Sequence, residues 1–323
     1  MKKETVRKIR IITAACWIVS AVLLVGLAIW FIAGPVFNLG NFNIGITSWA
    51  GGAFEEQGRY KVPIEGIDSM SIHWTAGAVT ISPHAGDEIQ ITEFSQRRLR
   101  DNQRLQINTS DGTVRIDFTA HQNILRRMPS KQLEVQVPYA LIEHFDDFSV
   151  ETVSGRIELR GLAAQSIRAN TTSGRIEMFD VNADTLSART TSGRIAISDT
   201  SADTLNVRTV SGRIDLFNTQ AYHLDTHTTS GRHELSGGFD HITARSVSGR
   251  IEIISTRIPA GISANATSGR IAVTVPDEGE PIAVQYSSTS GRFTSEIPII
   301  THSDDPQFRL STTSGRITIY TLR

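Results

Sequence analysis

From Phe148 onward, large apolar side chains alternate with polar ones in short runs, and the runs recur at a nearly fixed distance. Each run ends in Ser-Gly-Arg, spelled nine times with serines at 154, 173, 192, 211, 230, 248, 268, 290 and 314. The first four intervals are 19 residues and the later ones 18, 20, 22 and 24. A period of this size marks a repeat architecture. Counting from the motif serine as zero, position −6 carries Phe148, Ile167, Leu186, Leu205, Leu224, Ile242, Ile262, Val284 and Phe308. Position −4 runs from Val150 to Leu310 and position −2 is nearly all Thr or Ser, so one strand face packs large, smaller, then hydroxyl-bearing residues. After the turn, +3 is Ile in seven of nine copies and +5 is aliphatic in eight, the core column of a second strand. Helical periodicity is absent from the repeat. The pattern predicts an all-β, single-stranded parallel β-solenoid with two short strands in each coil, neighbouring coils lying about 4.8 Å apart.

The motif residues then have physical roles. The inward parity shifts by one between −2 and +3, so the chain bends at Ser-Gly. Glycine there (Gly155, Gly174, Gly193, Gly212, Gly231, Gly249, Gly269, Gly291 and Gly315) permits either a positive φ or close backbone packing. The serine hydroxyl can bond to the turn or between coils. Arginine at +2 points outward and forms a ladder. Position +4 beside it supplies Glu158, Glu177, Asp215, Glu234 and Glu252, the composition of a surface ion-pair network. That acid is missing at Ala196, Ala272, Thr294 and Thr318, which leaves Arg194, Arg270, Arg292 and Arg316 as candidates for contact with a polyanion or partner. Position −3 adds Arg189, Arg208 and Arg245 to that candidate stripe, with His227 between the last two.

Residues 61–147 carry the same alternation in degenerate form. Thr75-Ala76-Gly77-Ala78-Val79-Thr80-Ile81 matches the later repeat but lacks Ser and Arg, and Val135-Gln136-Val137-Pro138 closes the region. Two basic excursions interrupt it, one with Arg97, Arg98, Arg100 and Arg104, the other with Arg126, Arg127 and Lys131. They read either as solvated loops or as contacts to an anionic membrane surface.

The first sixty residues differ in kind. Residues 1–10 form a basic flank, and from Ile11 to Ala33 no charged residue occurs. A helix over 11–35 is long enough to cross the roughly 30 Å hydrocarbon layer. Its apolar run is longer than a signal peptide's and lacks a small-x-small cleavage site, which predicts an uncleaved single-pass anchor. The basic flank places the N-terminus in the cytoplasm and the rest of the chain on the extracytoplasmic side of the cell membrane. Residues 36–60, rich in Gly, Asn and Ser, read as a flexible linker. A net charge of −1 argues against nucleic acid as a partner, and the single Cys16 excludes both a disulfide framework and a cysteine zinc site.

The search for chemistry predicts no catalytic residue, no cofactor and no metal. No P-loop, nucleophile elbow or His-Glu-x-x-His is present, and nine equivalent serines single out no nucleophile. His223, His227, His233 and His241 make a divalent-metal site conceivable, but His233 stands where the other coils bury Ile, and the core reading is preferred. Asp146-Asp147 and Asp304-Asp305 are the acid pairs a carbohydrate-active β-helix enzyme would use, without a supporting basic pattern. The last strand, Ile317 to Thr321, is expected to end the stack as an open parallel edge and so to invite self-association. Insertions over 274–283 and 296–307 are expected to project together at the distal end, either capping the stack or offering a partner surface.

The short basic N-terminus, the single span, the degenerate strands ending in Val-Gln-Val-Pro and the repeated Thr-x-Ser-Gly-Arg-Ile-x-Ile together resemble the bacterial putative-adhesin, LiaG-like family of membrane-anchored β-solenoids, a domain of unknown function. The resemblance covers nearly the whole chain. It implies an extracytoplasmic solenoid, often associated with envelope stress systems, and no established enzymatic activity. The expected function is that of a non-enzymatic envelope binding or accessory protein, with an envelope protein or an anionic cell-wall polymer as its partner. The alternatives are a self-associating structural solenoid and a carbohydrate-active enzyme.

Overall fold

The structure, a computed structural model, describes residues 53–118, 130–142, 145–301 and 305–322. All belong to one compact unit, Gly52–Arg323. The predicted span 11–35 and the basic flank lie outside the described residues. Among the described residues, no helix is long and apolar enough to cross a membrane. The ordered fold begins earlier than its composition suggests, because a strand, Glu55–Pro63, occupies the end of the stretch read as a linker.

Among the described residues, the unit is all-β apart from a four-residue helix, Tyr139–Ile142, and a single 3₁₀ turn, Asp101–Gln103. Equivalent residues of successive coils pair in parallel and in register: Ile157 with Ile176, Ile176 with Ile195 and Ile195 with Ile214. The −6 residues Phe148, Ile167, Leu186 and Leu205, and the +3 isoleucines, are fully buried in one continuous apolar column. Each such side chain contributes about 1.5–3 kcal/mol.

Each regular coil holds more than the two strands its alternation predicts. A third short segment follows the +3 strand, pairing Leu162 with Val181 and Ala183 with Ala202. It is set off by a left-handed corner at +7, where Gly161, Asp180, Asp199 and Asn218 have φ of 55°, 54°, 52° and 46°. Short Asp and Asn side chains tolerate that conformation, and they can also bond between coils, as Asn218 Nδ2 does by donating to Asp199 Oδ1 at 2.7 Å.

The Ser-Gly turn works through backbone proximity. Gly155, Gly174, Gly193 and Gly212 donate their N–H groups to the carbonyls of Ser173, Ser192, Ser211 and Ser230 in the next coil, at 3.1–3.2 Å. A Cβ on Gly174, Gly193 or Gly212 would sit 1.8 Å from the carbonyl oxygen of the preceding motif glycine. Close approach is therefore the requirement shared along this column; a positive φ, 153–157°, is added only at Gly155, Gly193 and Gly315. The hydroxyl bonds between coils come from the threonine at −2: Thr152 Oγ1 donates to Thr171 Oγ1 at 2.8 Å, and Thr190 Oγ1 to the Gly174 carbonyl at 3.3 Å.

The coils do not stack in chain order at either end. Ser268 pairs with Ser314, and Ser314 with Ser290, so the final coil is inserted between the two that precede it. The expected open edge at Ile317–Thr321 is thus covered on both sides, by Ile271–Val275 and Phe293–Ser295. The exposed edge is Ile282–Ser290 instead, met on its outer side, among the described residues, only at Ile282 and Ala283 by Ile299 and Ile300. At the other end, Ser69–Ala76 lies between Thr113–Phe118 and Phe145–Ser154, so the first coil is also enclosed. Beyond it, Glu88–Ser95 and then Glu55–Pro63 add antiparallel strands to Lys131–Pro138, and Gln106–Ser110 adds one to Thr113–Phe118.

Of the two distal insertions, the segment after Ser295 caps the stack. Ile297 is buried in the core, and the Pro298 carbonyl accepts from the Ile282 N–H at 3.1 Å. Tyr286 and Phe293, at core positions of the outermost coil, stack with centroids 3.9 Å apart over the end of the apolar column.

Candidate binding faces

The in-register stack sets the arginine ladder and the acid column side by side. Arg156 reaches Glu177 of the next coil at 3.5 Å, Arg175 reaches Glu177 at 3.0 Å, and Arg250 reaches Glu252 at 3.7 Å. Arg194 was expected to lack a partner because its own coil offers Ala196. It pairs instead with Asp215 of the following coil, which also holds Arg213 at 3.8 Å. Burial pushes the Asp215 carboxyl up, while Arg194 and then Arg213 pull it back. Arg194 is therefore a structural arginine. Pairing between coils, invisible in a column count, removes it from the candidates.

Arg270, Arg292 and Arg316 keep their candidacy. All three are exposed and make no ion pair among the described residues. The inserted final coil puts them on consecutive rungs in the order Arg270, Arg316, Arg292, since Ile271 pairs with Ile317 and Ile317 with Phe293. Their +4 neighbours align as Ala272, Thr318 and Thr294, so no acid interrupts the run. Three guanidinium groups at rung spacing, about 4.8 Å, form an uncompensated positive strip.

The −3 stripe divides. Arg189, Arg208 and His227 stand on consecutive rungs and line a groove of about 730 Å³ with Trp74 and a row of threonines. Asp225 takes both Arg208, at 3.1 Å, and Arg245, at 3.8 Å. Arg189 alone of these arginines has no ion pair among the described residues. Exposed Val153, Val210 and Val247 at position −1 make the neighbouring column partly apolar.

The basic excursions also divide. Arg97, Arg98 and Arg100 are exposed, whereas Arg104 turns in and donates to the Gln57 carbonyl at 2.9 Å. Arg126 and Arg127 lie outside the described residues. Lys131 is no surface residue: its side chain is 1% exposed and forms an ion pair with the equally buried Glu93. Its ammonium donates to the Gln103 carbonyl at 2.7 Å and lies 3.2 Å from the centre of the Phe118 ring. Burial pushes the Lys131 ammonium down, and the Glu93 carboxylate opposes that shift. In sequence it reads as one more loop cation because it follows Arg126 and Arg127; it is placed as the first inward residue of the strand Lys131–Pro138.

The histidines do not converge. His233 is fully buried, with Nδ1 3.0 Å from Thr226 Oγ1 and Nε2 without a hydrogen bond of normal geometry. Burial, helped by nearby His227, pushes its pKa down to about 4. His223 and His241 stack at 5.1 Å with Tyr222 edge-on to both. Among the described residues, no three His, Cys, Asp or Glu side chains gather into a metal-binding set. Asp146 and Asp147 are engaged by Gln165 and Arg168, at 2.5 and 2.6 Å. Asp304 is not described, and Asp305 pairs with Arg309 at 3.0 Å.

A second groove went unnoticed in the sequence. About 630 Å³ in volume, it follows the third segment of four coils, a part of the repeat whose columns carry no conspicuous motif.

The profile of the family described as Toastrack DUF4097 matches residues 67–320. No curated protein matches the chain. Among solved structures, a "putative adhesin" from Bacteroides fragilis is similar at 13% identity and a TM-score of 0.45, over 84% of this chain and 97% of that one. A "putative adhesin" from Parabacteroides distasonis is similar at 11% identity and a TM-score of 0.47, over 83% and 97%. A "putative lipid binding protein" from the same species is similar at 12% identity and a TM-score of 0.36, over 82% and 96%.

Proposed function

The chain belongs to the Toastrack DUF4097 family, and from that premise we propose that it is a non-enzymatic binding module of the cell envelope. In this reading the apolar segment 11–35 anchors it in the membrane, the solenoid stands on the extracytoplasmic side, and its positive strip engages an anionic envelope polymer. The observation that carries the reading is the run Arg270, Arg316, Arg292 on consecutive rungs, without an acid among them. A rigid row of guanidiniums suits the phosphates of an extended polymer, because each forked donor set can bind one anionic group. An accessory role in envelope stress sensing would follow if polymer occupancy were passed to a membrane partner.

The test is binding of inorganic polyphosphate at a series of salt concentrations. Replacing Arg270, Arg292 and Arg316 together by Gln should weaken binding at least about tenfold at low salt and flatten the salt dependence by two to three released counterions. Asp215→Asn, which frees Arg194 and Arg213, should tighten binding several-fold. An affinity and salt slope unchanged in the triple variant would sink the proposal.

A second reading, self-association, is favoured by the contrast between the two ends. The outer strand Glu55–Pro63 carries Glu55, Glu56, Arg59, Lys61 and Pro63, the features that discourage edge pairing. The outer strand Ile282–Ser290 carries no charge and no proline. Concentration-dependent dimers that disappear in Ser287→Lys would support this reading, and a strict monomer would end it.

A further inference from the structure

We propose that the groove along the third segment is a binding site for a neutral, extended polysaccharide of β-linked pyranose units. Its floor is a column of alanines, 164, 183, 202 and 221, aligned on four consecutive rungs. With so little side chain there, the floor lies low and the flanking columns stand as lips. One lip carries Asn182 and Gln220, and the other carries Gln165, Asp184 and Asp203. The site therefore offers amides on one side and an amide with two carboxylates on the other side of a shallow trough of about 630 Å³.

Two of these groups stand ready for a ligand. Asp184 and Asp203 are exposed, occupy the same column on adjacent rungs, and have no hydrogen-bond or ion-pair partner among the described residues. Carboxylates in this state accept hydrogen bonds from vicinal hydroxyls. Their excess over the single cation lining the groove, Arg257, which Asp240 holds at 2.8 Å, disfavours an anionic polymer. The rung after Asp203 places Tyr222 in that column, 53% exposed. His223 and His241 hold its ring edge-on, with centroids 4.5 and 5.4 Å away. An aromatic face fixed at the end of a polar trough is a stacking platform for the apolar face of a sugar ring.

Periodicity selects an extended polymer over a single sugar. The donor and acceptor pairs repeat once per rung, about every 4.8 Å. One pyranose of an extended β-linked chain advances by close to that distance, so successive sugars lie over successive rungs. The site is separate from the arginine strip, and each can fail without the other.

The experiment is calorimetric titration of the purified chain with cellohexaose and chitohexaose, and with their trisaccharides. Saturable binding of at least one hexasaccharide is expected, the trisaccharide binding more weakly because it spans fewer rungs. Tyr222→Ala and the pair Asp184→Asn, Asp203→Asn should each weaken binding about tenfold or more while leaving polyphosphate affinity and melting temperature unchanged. The absence of saturable heat with both hexasaccharides up to about 10 mM overturns the proposal. So does binding that neither variant weakens.

Discussion

Replacing Gly212 by Ala tests whether the Ser-Gly column exists for backbone contact between coils. The new Cβ would lie 1.8 Å from the Gly193 carbonyl oxygen and 2.8 Å from its carbon, where real Cβ atoms are not found below 3.0 Å. Both obstructing atoms are main chain, so no side chain can turn aside; the two rungs must separate by roughly 1 Å or more. At that point stand the bonds from Gly193 N–H to the Ser211 carbonyl, 3.1 Å, and from Ile195 N–H to the Arg213 carbonyl, 2.9 Å. Stretching both out of range costs about 0.5–1.5 kcal/mol each, plus about 1–3 kcal/mol for any group left buried and unpaired. A total near 3–5 kcal/mol corresponds to a fall in melting temperature of roughly 10 °C for a fold of this size. Thermal denaturation followed by circular dichroism measures it. Gly66→Ala is the control: its φ of +71° strains an alanine, but nothing lies within 4 Å of the added Cβ. That variant should lose only about 1–2 kcal/mol. If Gly212→Ala melts no lower than Gly66→Ala, close approach is not why the column is glycine.

Two further perturbations probe the buried polar groups. His233 has its pKa depressed from 6.5 to about 4, so between those values the unfolded chain takes up a proton that the folded chain refuses. Stability should therefore be full above pH 6.5 and decline as pH falls toward 4, by about 3 kcal/mol over the window. His233→Ile should flatten the decline in urea denaturation at pH 7 and pH 4.5; an unchanged difference between the two pH values would refute the assignment. For the buried pair, Glu93→Gln alone should destabilise by about 3–5 kcal/mol because it strands the Lys131 ammonium, whereas Glu93→Leu with Lys131→Met should be close to neutral. Equal losses in the single and double variants would show that the two charges are not coupled.

Much of this fold was legible in the residues because a repeat states its rule many times. The −6, −4, +3 and +5 columns read as core, and the buried residues follow them coil after coil. The +7 corner was missed because Gly161, Asp180, Asp199 and Asn218 share a conformation rather than an amino acid. Arg194 and Arg270 look alike in a column count, each beside an alanine. They differ because the rung above one supplies Asp215 and the rung above the other supplies Thr318. The polar groove was missed for a similar reason: its lip residues are spread over four coils and share no motif.

What the sequence determined by itself is the rung: a repeating unit, its inward face, its Ser-Gly bend and its outward arginine. Those follow from local alternation and from the need to bury one face, which each coil expresses alone. The order of the rungs was decided only by the tertiary structure. Parallel coils with equivalent columns can pair with any neighbour in register, so no local pattern distinguishes Ser268 against Ser290 from Ser268 against Ser314. The choice rests on the end coils. Tyr286 and Phe293 stack on each other in the outermost coil, with Tyr286 part exposed, while Ile317 and Ile319 are fully buried in the enclosed place. That single exchange sets the order of the arginine strip as Arg270, Arg316, Arg292.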